Sequence, residues 1–220
     1  MTYLSWAALY EGKDDKAYFD VLIPRVMEEI TLLHGTRTST IPPNPAVTLS
    51  RGPVDKVASE ACEAQEAFHL MFVHADTGGR NLEAGLEARS HSYCQAMHEK
   101  CDWPPRRCIL ISPRHETEAW ILADPDAVTK APGYSGPADR IGLPANAKAA
   151  EKLVDPKQVL ADAANAVRNR NRPSNVQQIS AAIAQRQSIE LLRQSKSFGD
   201  FEAELHRALA DLGCVEKLPN

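Results

Sequence analysis

The chain has 220 residues, a formal net charge of −4, 43% hydrophobic residues and 25% charged residues. This length accommodates one sizeable core with a helical appendage, but not two full domains. The composition is that of an ordinary globular protein, and no apolar run approaches the roughly 18 residues needed to cross a bilayer. The mild negative charge argues against a nucleic-acid coat protein but not against a metal-dependent nuclease, because bound cations neutralise clustered carboxylates.

The N-terminus and the cysteines predict a cytoplasmic protein. The first residues carry no basic segment and reach Glu11 quickly, so no secretory signal is expected. The cysteines are odd in number and lack the spacing of a disulfide framework, which suits reduced thiols. They are Cys62, Cys94, Cys101, Cys108 and Cys214.

The N-terminal region predicts a strand followed by a helix. Residues 4–10 form a short apolar run that ends at Glu11, which is typical of a buried strand. From Asp14 onward, apolar residues recur at steps of three and four and predict an amphipathic helix that ends at Gly35. Asp14 and Asp15 fall in its first turn, where the helix dipole favours acidic residues.

The middle of the chain predicts a parallel sheet. Residues 46–50 suggest a short strand, 54–68 a helix, 69–75 a central strand ending at Asp76, and 82–100 another helix. Residues 107–112 form a further apolar run, and 116–122 begin a helix. Near-continuous apolar strands belong in parallel sheets covered on both faces. Strands that alternate with helices therefore predict an α/β fold with a doubly wound parallel sheet.

The last third of the chain is predicted to be helical. Strand signals stop after Asp124, and residues 132–144 form a loop rich in glycine and proline. Helices are expected at 146–152, 156–168 and 175–194, and a last helix has Ser197 and Asp200 in an N-terminal capping pattern. We expect an α/β core over 1–130 and a helical extension over 131–220, packed together as one unit.

Three predicted strands end in charged residues. Glu11 follows the first strand, Asp76 follows the central one, and Glu118 lies in the acidic segment after the third. In open parallel sheets, ligands bind outside the carboxyl ends of the strands. Converging carboxylates would hold Mg²⁺ or Mn²⁺ there, and such ions catalyse phosphoryl transfer.

At these residues the chain resembles a Toprim-like family of small bacterial proteins, similar to the RloB-type abortive phage-resistance proteins. The resemblance spans nearly the full length. It is carried by Glu11-Gly12 with the following helix, residues 118–124 (Glu-Ala-Trp-Ile-Leu-Ala-Asp), Asp155-Pro156-Lys157, and the segment from Leu192-Arg193 to Phe201. The segment 118–124 is the most specific of these.

The resemblance implies a Toprim/Rossmann-like fold and a metal-dependent nuclease of bacterial anti-phage defence. It implies that Glu11 is the general acid/base or a metal-linked carboxylate, that Asp76 is a metal ligand, and that Glu118 is the third acidic member. It also implies a partner ATPase of the ABC or AAA type. The family places two aspartates two residues apart at the central strand, and here either His74 or Gly78 occupies the second position.

Weaker candidates surround this set. His74, Glu116 and Asp124 are possible additional metal ligands. Glu116 and Glu118 would point about 200° apart on a helix, so at most one is expected to face the crevice. Phosphate contacts of a nucleic acid, whether DNA or RNA, are expected from basic residues near the crevice. These are Arg80, Arg114, Arg168, Arg170 and Arg172.

Other interpretations of the motifs are less favoured. Ala75-Asp76-Thr77-Gly78 spells the aspartic-protease signature, but that chemistry needs a second carboxylate from a second lobe. Cys94, His98 and Cys101 share one predicted helix face, a spacing that zinc can use. The departure at His74 and Gly78 also leaves a non-catalytic adaptor of an ATPase as an alternative to the nuclease. A metal-dependent hydrolase of a small nucleotide is a third interpretation.

Overall fold

The main sheet has four parallel strands, β2 (Trp6–Tyr10), β4 (Val47–Ser50), β5 (Leu70–His74) and β6 (Cys108–Ile111). This is seen in a computed structural model that describes residues 1–76, 90–167 and 176–217. A second, two-stranded parallel sheet pairs β1 (Thr2–Tyr3) with β3 (Ser39–Thr40). The predicted α/β class with a parallel sheet is confirmed.

Helices connect the strands and make up the described C-terminal third. The first three are α1 (Lys13–His34), α2 (Val54–Glu63) and α3 (Ser92–Cys101). After β6 follow α4 (Glu118–Ile121), α5 (Pro125–Lys130), α6 (Ala147–Ala150), α7 (Pro156–Val167), α8 (Val176–Arg186), α9 (Ile189–Leu192) and α10 (Lys196–Asp211). Short 3₁₀ turns lie at Gln65–Ala67, Pro105–Arg107 and Ala138–Ile141.

Apolar side chains cover both faces of the sheet. Alternate residues of β2, β5 and β6 belong to two separate clusters, with Phe72 of β5 in one and Val73 in the other. Helices α1 and α10 supply the first cluster with residues such as Phe19 and Phe198, and α2 and α3 supply the second with Val57 and Met97. Since successive side chains of a strand point to opposite faces, this explains the unbroken apolar run of β5.

The order of the strands places a switch point in the middle of the sheet. The order is β4-β2-β5-β6, so the chain adds β4 on one side of β2 and then returns to add β5 on the other. Residues Trp6 to Leu9 of β2 pair in register with Leu70 to Val73 of β5. The crevice expected at such a point therefore opens between the carboxyl ends of β2 and β5.

The C-terminal helices share the core of the sheet. The Trp120 ring lies 5.2 Å from that of Phe198 and 5.5 Å from that of Phe201, while Phe72 of β5 lies 6.3 Å from Phe201. The described residues after β6 contain no further strand of the main sheet, as predicted. The division at residue 130 stays a prediction.

Two local predictions for this region are wrong. The helix expected over 175–194 is divided, since α8 ends at Arg186 and α9 begins at Ile189, where Ser188 caps it. The last helix is capped by Ser195, whose hydroxyl accepts the backbone N–H of Phe198. Ser197, predicted as the cap, instead donates its hydroxyl to Glu151. Several serines near this helix start made the capping residue ambiguous in sequence.

Four of the five cysteines are paired, which corrects the expectation of reduced thiols. Cys62 is bonded to Cys101, and Cys94 to Cys108, while Cys214 is free and buried. The zinc arrangement considered for Cys94 and Cys101 does not form, because α3 directs these residues to different partners. Cysteine content thus no longer supports a cytoplasmic location, which stays a prediction. Among the described residues, no helix has both the length and the apolar character to cross a membrane.

Glu151 ties the start of α10 to the rest of the helical region. Its carboxylate accepts the hydroxyls of Ser195 and Ser197 and the backbone N–H groups of Lys196 and Ser197. We expect Glu151→Ala to lower the free energy of unfolding by about 2–4 kcal/mol, because it leaves several donors at this helix start without an acceptor. Urea denaturation would measure the change.

The matched control is Glu60→Ala. Glu60 forms an exposed contact of 3.8 Å with Lys56, and its removal should change stability by less than about 0.5 kcal/mol. Equal effects of the two substitutions would contradict a structural role for the Glu151 carboxylate.

Candidate metal centre at the carboxyl edge of the sheet

The structure brings Glu11 and Asp76 together at the switch point of the sheet. Glu11 directly follows β2, and Asp76 comes two residues after the end of β5. An oxygen of the Glu11 carboxylate accepts the backbone N–H of Asp76 at 2.9 Å. Both residues therefore line the crevice that their positions in the sequence predict.

His74, the last residue of β5, forms the buried part of the site. One ligand atom each from Asp15, His74 and Asp76 lie within 4.8 Å of one another. The Nδ1 atom of His74 is 3.8 Å from an oxygen of Asp15, and its Nε2 atom is 3.6 Å from an oxygen of Asp76. The imidazole is fully buried and packs against the Phe19 ring at 4.8 Å.

Thr117 determines which ring nitrogen of His74 carries the hydrogen. Its hydroxyl donates to Asp15 at 2.6 Å and lies 3.0 Å from Nε2 of His74. Because a hydroxyl has a single hydrogen to donate, Nε2 must be the donor in its contact with Thr117. In the neutral ring, Nδ1 then carries a lone pair. Among the described residues this nitrogen has no hydrogen-bond partner.

Gly12 makes room for the carboxylate of Asp15. A Cβ atom at position 12 would lie 3.1 Å from an oxygen of Asp15, closer than most contacts of this kind. Helix α1 begins at the next residue, so Asp15 in its first turn can reach the site without a side chain in between. The Glu11-Gly12 pair thus supplies one carboxylate and leaves space for another.

Glu116 and Glu118 both act electrostatically on Asp76, and the expectation that at most one faces the crevice rests on a helix that does not include Glu116. Helix α4 begins at Glu118, so Glu116 lies in a bend before it, where His115 has a φ of 70°. The 200° separation on a helix therefore does not apply. Both carboxylates lie near enough to Asp76 to raise its pKa. One oxygen of Glu116 is buried and, within the described ranges, has no hydrogen-bond partner.

The crowding of carboxylates raises the pKa of Asp76 to about 7. Burial is the largest cause, and repulsion from nearby carboxylates adds to it. They belong to Asp15, Glu11, Glu118 and Glu116. Burial, followed by repulsion from Glu116, also raises the pKa of Glu118 despite the nearby Lys157. Burial lowers the pKa of His74 and favours its neutral form.

Two cations offset part of this negative charge. Arg51, which follows β4, forms an ion pair with Glu11. Burial raises the pKa of Glu11, but the bond from the Asp76 N–H and the charge of Arg51 outweigh it, so that the net pKa is lowered. Glu11 is therefore better suited to remain charged than to donate a proton. Lys157, at the start of α7, has its pKa raised chiefly by Glu118.

The remaining predicted residues have other environments. Asp124 is buried, and its two oxygens accept the backbone N–H groups of Ala127 and Ser188, which makes it the cap of α5. Arg114 is exposed in the bend after β6. Other predicted positions lie outside the described residues. They are Gly78, Arg80, Arg168, Arg170 and Arg172.

The donor set fits a divalent cation. Two ligands of one ion, each at about 2.1 Å from it, can lie up to about 4.2 Å apart. The 3.8 Å separation between Nδ1 of His74 and the Asp15 oxygen falls within that limit. The neutral imidazole nitrogen and the carboxylate both offer electron pairs, and no hydrogen bond joins them. A cation between them would stabilise this arrangement.

Comparisons with protein-family models, with curated proteins and with solved structures found no match. The chain is an α/β protein with a parallel four-stranded sheet and a carboxylate–histidine group that could hold a metal ion at its switch point.

Sequence reasoning missed several residues of the site. Asp15 was assigned to the helix dipole, and Arg51 was not considered, although β4 ends at the same sheet edge as β2. Asp15 lies in the first turn of the helix that begins two residues after Glu11, at the same sheet edge, which could have indicated that both face the crevice. Thr117 and Lys157 carry no comparable signal, because tertiary contacts over long sequence separations bring them to the site.

The raised pKa of Asp76 predicts that the metal-free protein loses stability as the pH rises. The folded-state pKa of about 7 exceeds the unfolded value of about 3.9, so the folded protein binds more protons between these pH values. Asp76→Asn cannot ionise. We expect it to raise the free energy of unfolding by about 1–3 kcal/mol at pH 8, a range discounted for solvent screening, and to change it little at pH 5.

Denaturation in the presence of a chelator at the two pH values would measure this effect. Asp126→Asn removes an exposed carboxylate outside the site and serves as the control. If Asp76→Asn were no more stable than the wild type at pH 8, the neighbouring carboxylates would not destabilise the charged form of Asp76.

Proposed function

We propose that this protein is a metal-dependent nuclease of the Toprim-like type, which hydrolyses phosphodiester bonds at the carboxyl edge of its sheet. The observation that carries the proposal is the group formed by Asp15, His74 and Asp76, with ligand atoms within 4.8 Å of one another. Its position at a switch point is where open α/β sheets bind their ligands. Glu11, Glu116 and Glu118 add negative charge around it, which favours a bound cation.

The side chains around the crevice divide into ligands, supports and cations. Asp15, His74 and Asp76 would hold Mg²⁺ or Mn²⁺, and Glu118 and Glu116 would add negative charge beside them. A divalent ion bound here supplies a Lewis acid that polarises a phosphoryl oxygen and lowers the pKa of a bound water. Glu11 orients the loop after β5 through the N–H of Asp76 and stays charged beside Arg51.

Asp76 releases a proton in this proposal, and Lys157 supplies a positive charge. With a pKa near 7, Asp76 gives up its proton as a cation binds, so metal affinity should rise with pH. Lys157 stays protonated and exposed at the rim, where its ammonium group can neutralise charge that develops on a phosphoryl oxygen.

A nucleic acid is the favoured substrate because the crevice has cations at its rim and accessible ligands. The side chain of Asp76 is 30% exposed and that of Arg51 is 37% exposed, so a phosphate in solution can reach both. Arg114 is exposed after β6 and, within the described ranges, has no ion pair with a carboxylate, which leaves it free to contact a backbone phosphate. The resemblance to the Toprim-like family extends the proposal to anti-phage defence beside a partner ATPase.

Substitutions at the acidic group test this function. We expect Glu11→Ala and Asp15→Asn each to reduce cleavage of labelled DNA or RNA by ~100-fold or more, because each removes a charge that holds or orients the metal group. Asp126→Asn should retain wild-type activity. Cleavage should require added Mn²⁺ or Mg²⁺ and stop when a chelator is present.

Other results would point to other functions. Full activity of Glu11→Ala would overturn the assignment of the site. A protein that binds no divalent ion and cleaves no nucleic acid would favour the adaptor of an ATPase. Hydrolysis confined to small nucleotides would favour the third interpretation, a small-nucleotide hydrolase.

A further inference from the structure

We infer that His74 makes this metal centre selective for divalent transition ions, such as Mn²⁺, Co²⁺ or Zn²⁺, over Mg²⁺. The inference rests on the proposed metal site and deepens it. The resemblance leads one to expect a second aspartate at position 74 or 78, and this chain has His74 and Gly78 there. The selectivity therefore belongs to the residues of this chain.

The geometry gives His74 a nitrogen that is ready to bind a cation. Its side chain has no solvent exposure, and its Nε2 hydrogen is occupied by the hydroxyl of Thr117 at 3.0 Å. Its Nδ1 lies 3.8 Å from an oxygen of Asp15, beyond hydrogen-bond distance, and makes no hydrogen bond within the described ranges. Buried polar atoms are nearly always paired, so an unpaired nitrogen aimed at a carboxylate indicates a missing ligand.

The surroundings of the ring hold this nitrogen in place. Phe19 packs against the imidazole, and Thr117 fixes both the ring orientation and the carboxylate of Asp15. Metal-binding histidines are commonly held in this way, with the second ring nitrogen donating a hydrogen bond. A histidine present only to fill the core would need no such link to Asp15 through Thr117.

The chemistry of the donors then sets the preference among ions. Mg²⁺ is a hard cation that requires near-octahedral oxygen coordination and retains several waters. Imidazole nitrogen suits transition ions, whose affinity for mixed nitrogen and oxygen sites exceeds that of Mg²⁺. One nitrogen and two carboxylates, from His74, Asp15 and Asp76, form a mixed site of this kind.

The deciding experiment compares Mn²⁺ and Mg²⁺ binding to the metal-free full chain by calorimetry. For the wild type we expect Mn²⁺ to bind about 100-fold more tightly than Mg²⁺. His74→Asp, which supplies an oxygen ligand in place of nitrogen, should bring the two affinities within about tenfold. His34→Asp makes the same exchange at an exposed histidine outside the site and should leave the wild-type ratio unchanged.

Electron spin echo spectroscopy of the Mn²⁺-loaded protein reports the ligand directly, without any assay of activity. The wild type should show coupling to an imidazole nitrogen, and His74→Asp should lose it. Thermal melts of both variants establish that they are folded. If His74→Asp fails to fold, the affinity ratio and nitrogen coupling of the wild type still decide the question.

The outcomes separate this inference from the proposed function. Tight Mn²⁺ binding without nitrogen coupling, or equal affinities for Mn²⁺ and Mg²⁺ in the wild type, would overturn the role of His74 and leave the metal-dependent function standing. Binding of neither ion to the wild type would overturn both.

Discussion

The burial of strand β5 on both faces determines where polar groups can lie in this protein. From Leu70 to Val73 the strand is enclosed by apolar side chains from α1 and α10 on one side and from α2 and α3 on the other. Unpaired charge in such a position is prohibitively costly. The first polar side chains of the strand therefore occur at its carboxyl end, at His74 and Asp76. The neighbouring strand β2 reaches its polar end at Glu11 in the same way.

Confining the polar groups to one edge concentrates like charge there. Five carboxylates act on the space beside His74, and Arg51 and Lys157 offset only part of their charge. The sheet keeps these carboxylates close because the hydrophobic contacts of its strands outweigh their repulsion. The folded chain thus holds mutually repelling carboxylates close together. A bound cation would reduce this repulsion, and in this way the structure favours the proposed metal chemistry.

The amino-acid sequence predicts the strands well because their signal is local. The run before Asp76 and the run before Glu11 show burial directly, and the end of a parallel strand identifies the functional edge. Asp15 was missed because a first-turn aspartate has an ordinary role in any helix. Glu116 is predicted to lie in a helix but lies in a bend before it. The left-handed backbone conformation of His115 that produces this bend is not apparent from its residue type. Thr117 depends on a contact across 102 positions, which no local pattern contains.

The two disulfides have a consequence for how the chain responds to mechanical force. They join Cys62 to Cys101 and Cys94 to Cys108, so the shortest covalent path from position 62 to position 108 passes through a crosslink and seven further residues. A chain pulled from its two ends could extend this segment to about 30 Å at most, where an uncrosslinked one could extend it to about 160 Å. Helix α3 and strand β6 would thus stay tethered to the end of α2 after the C-terminal helices had been pulled away.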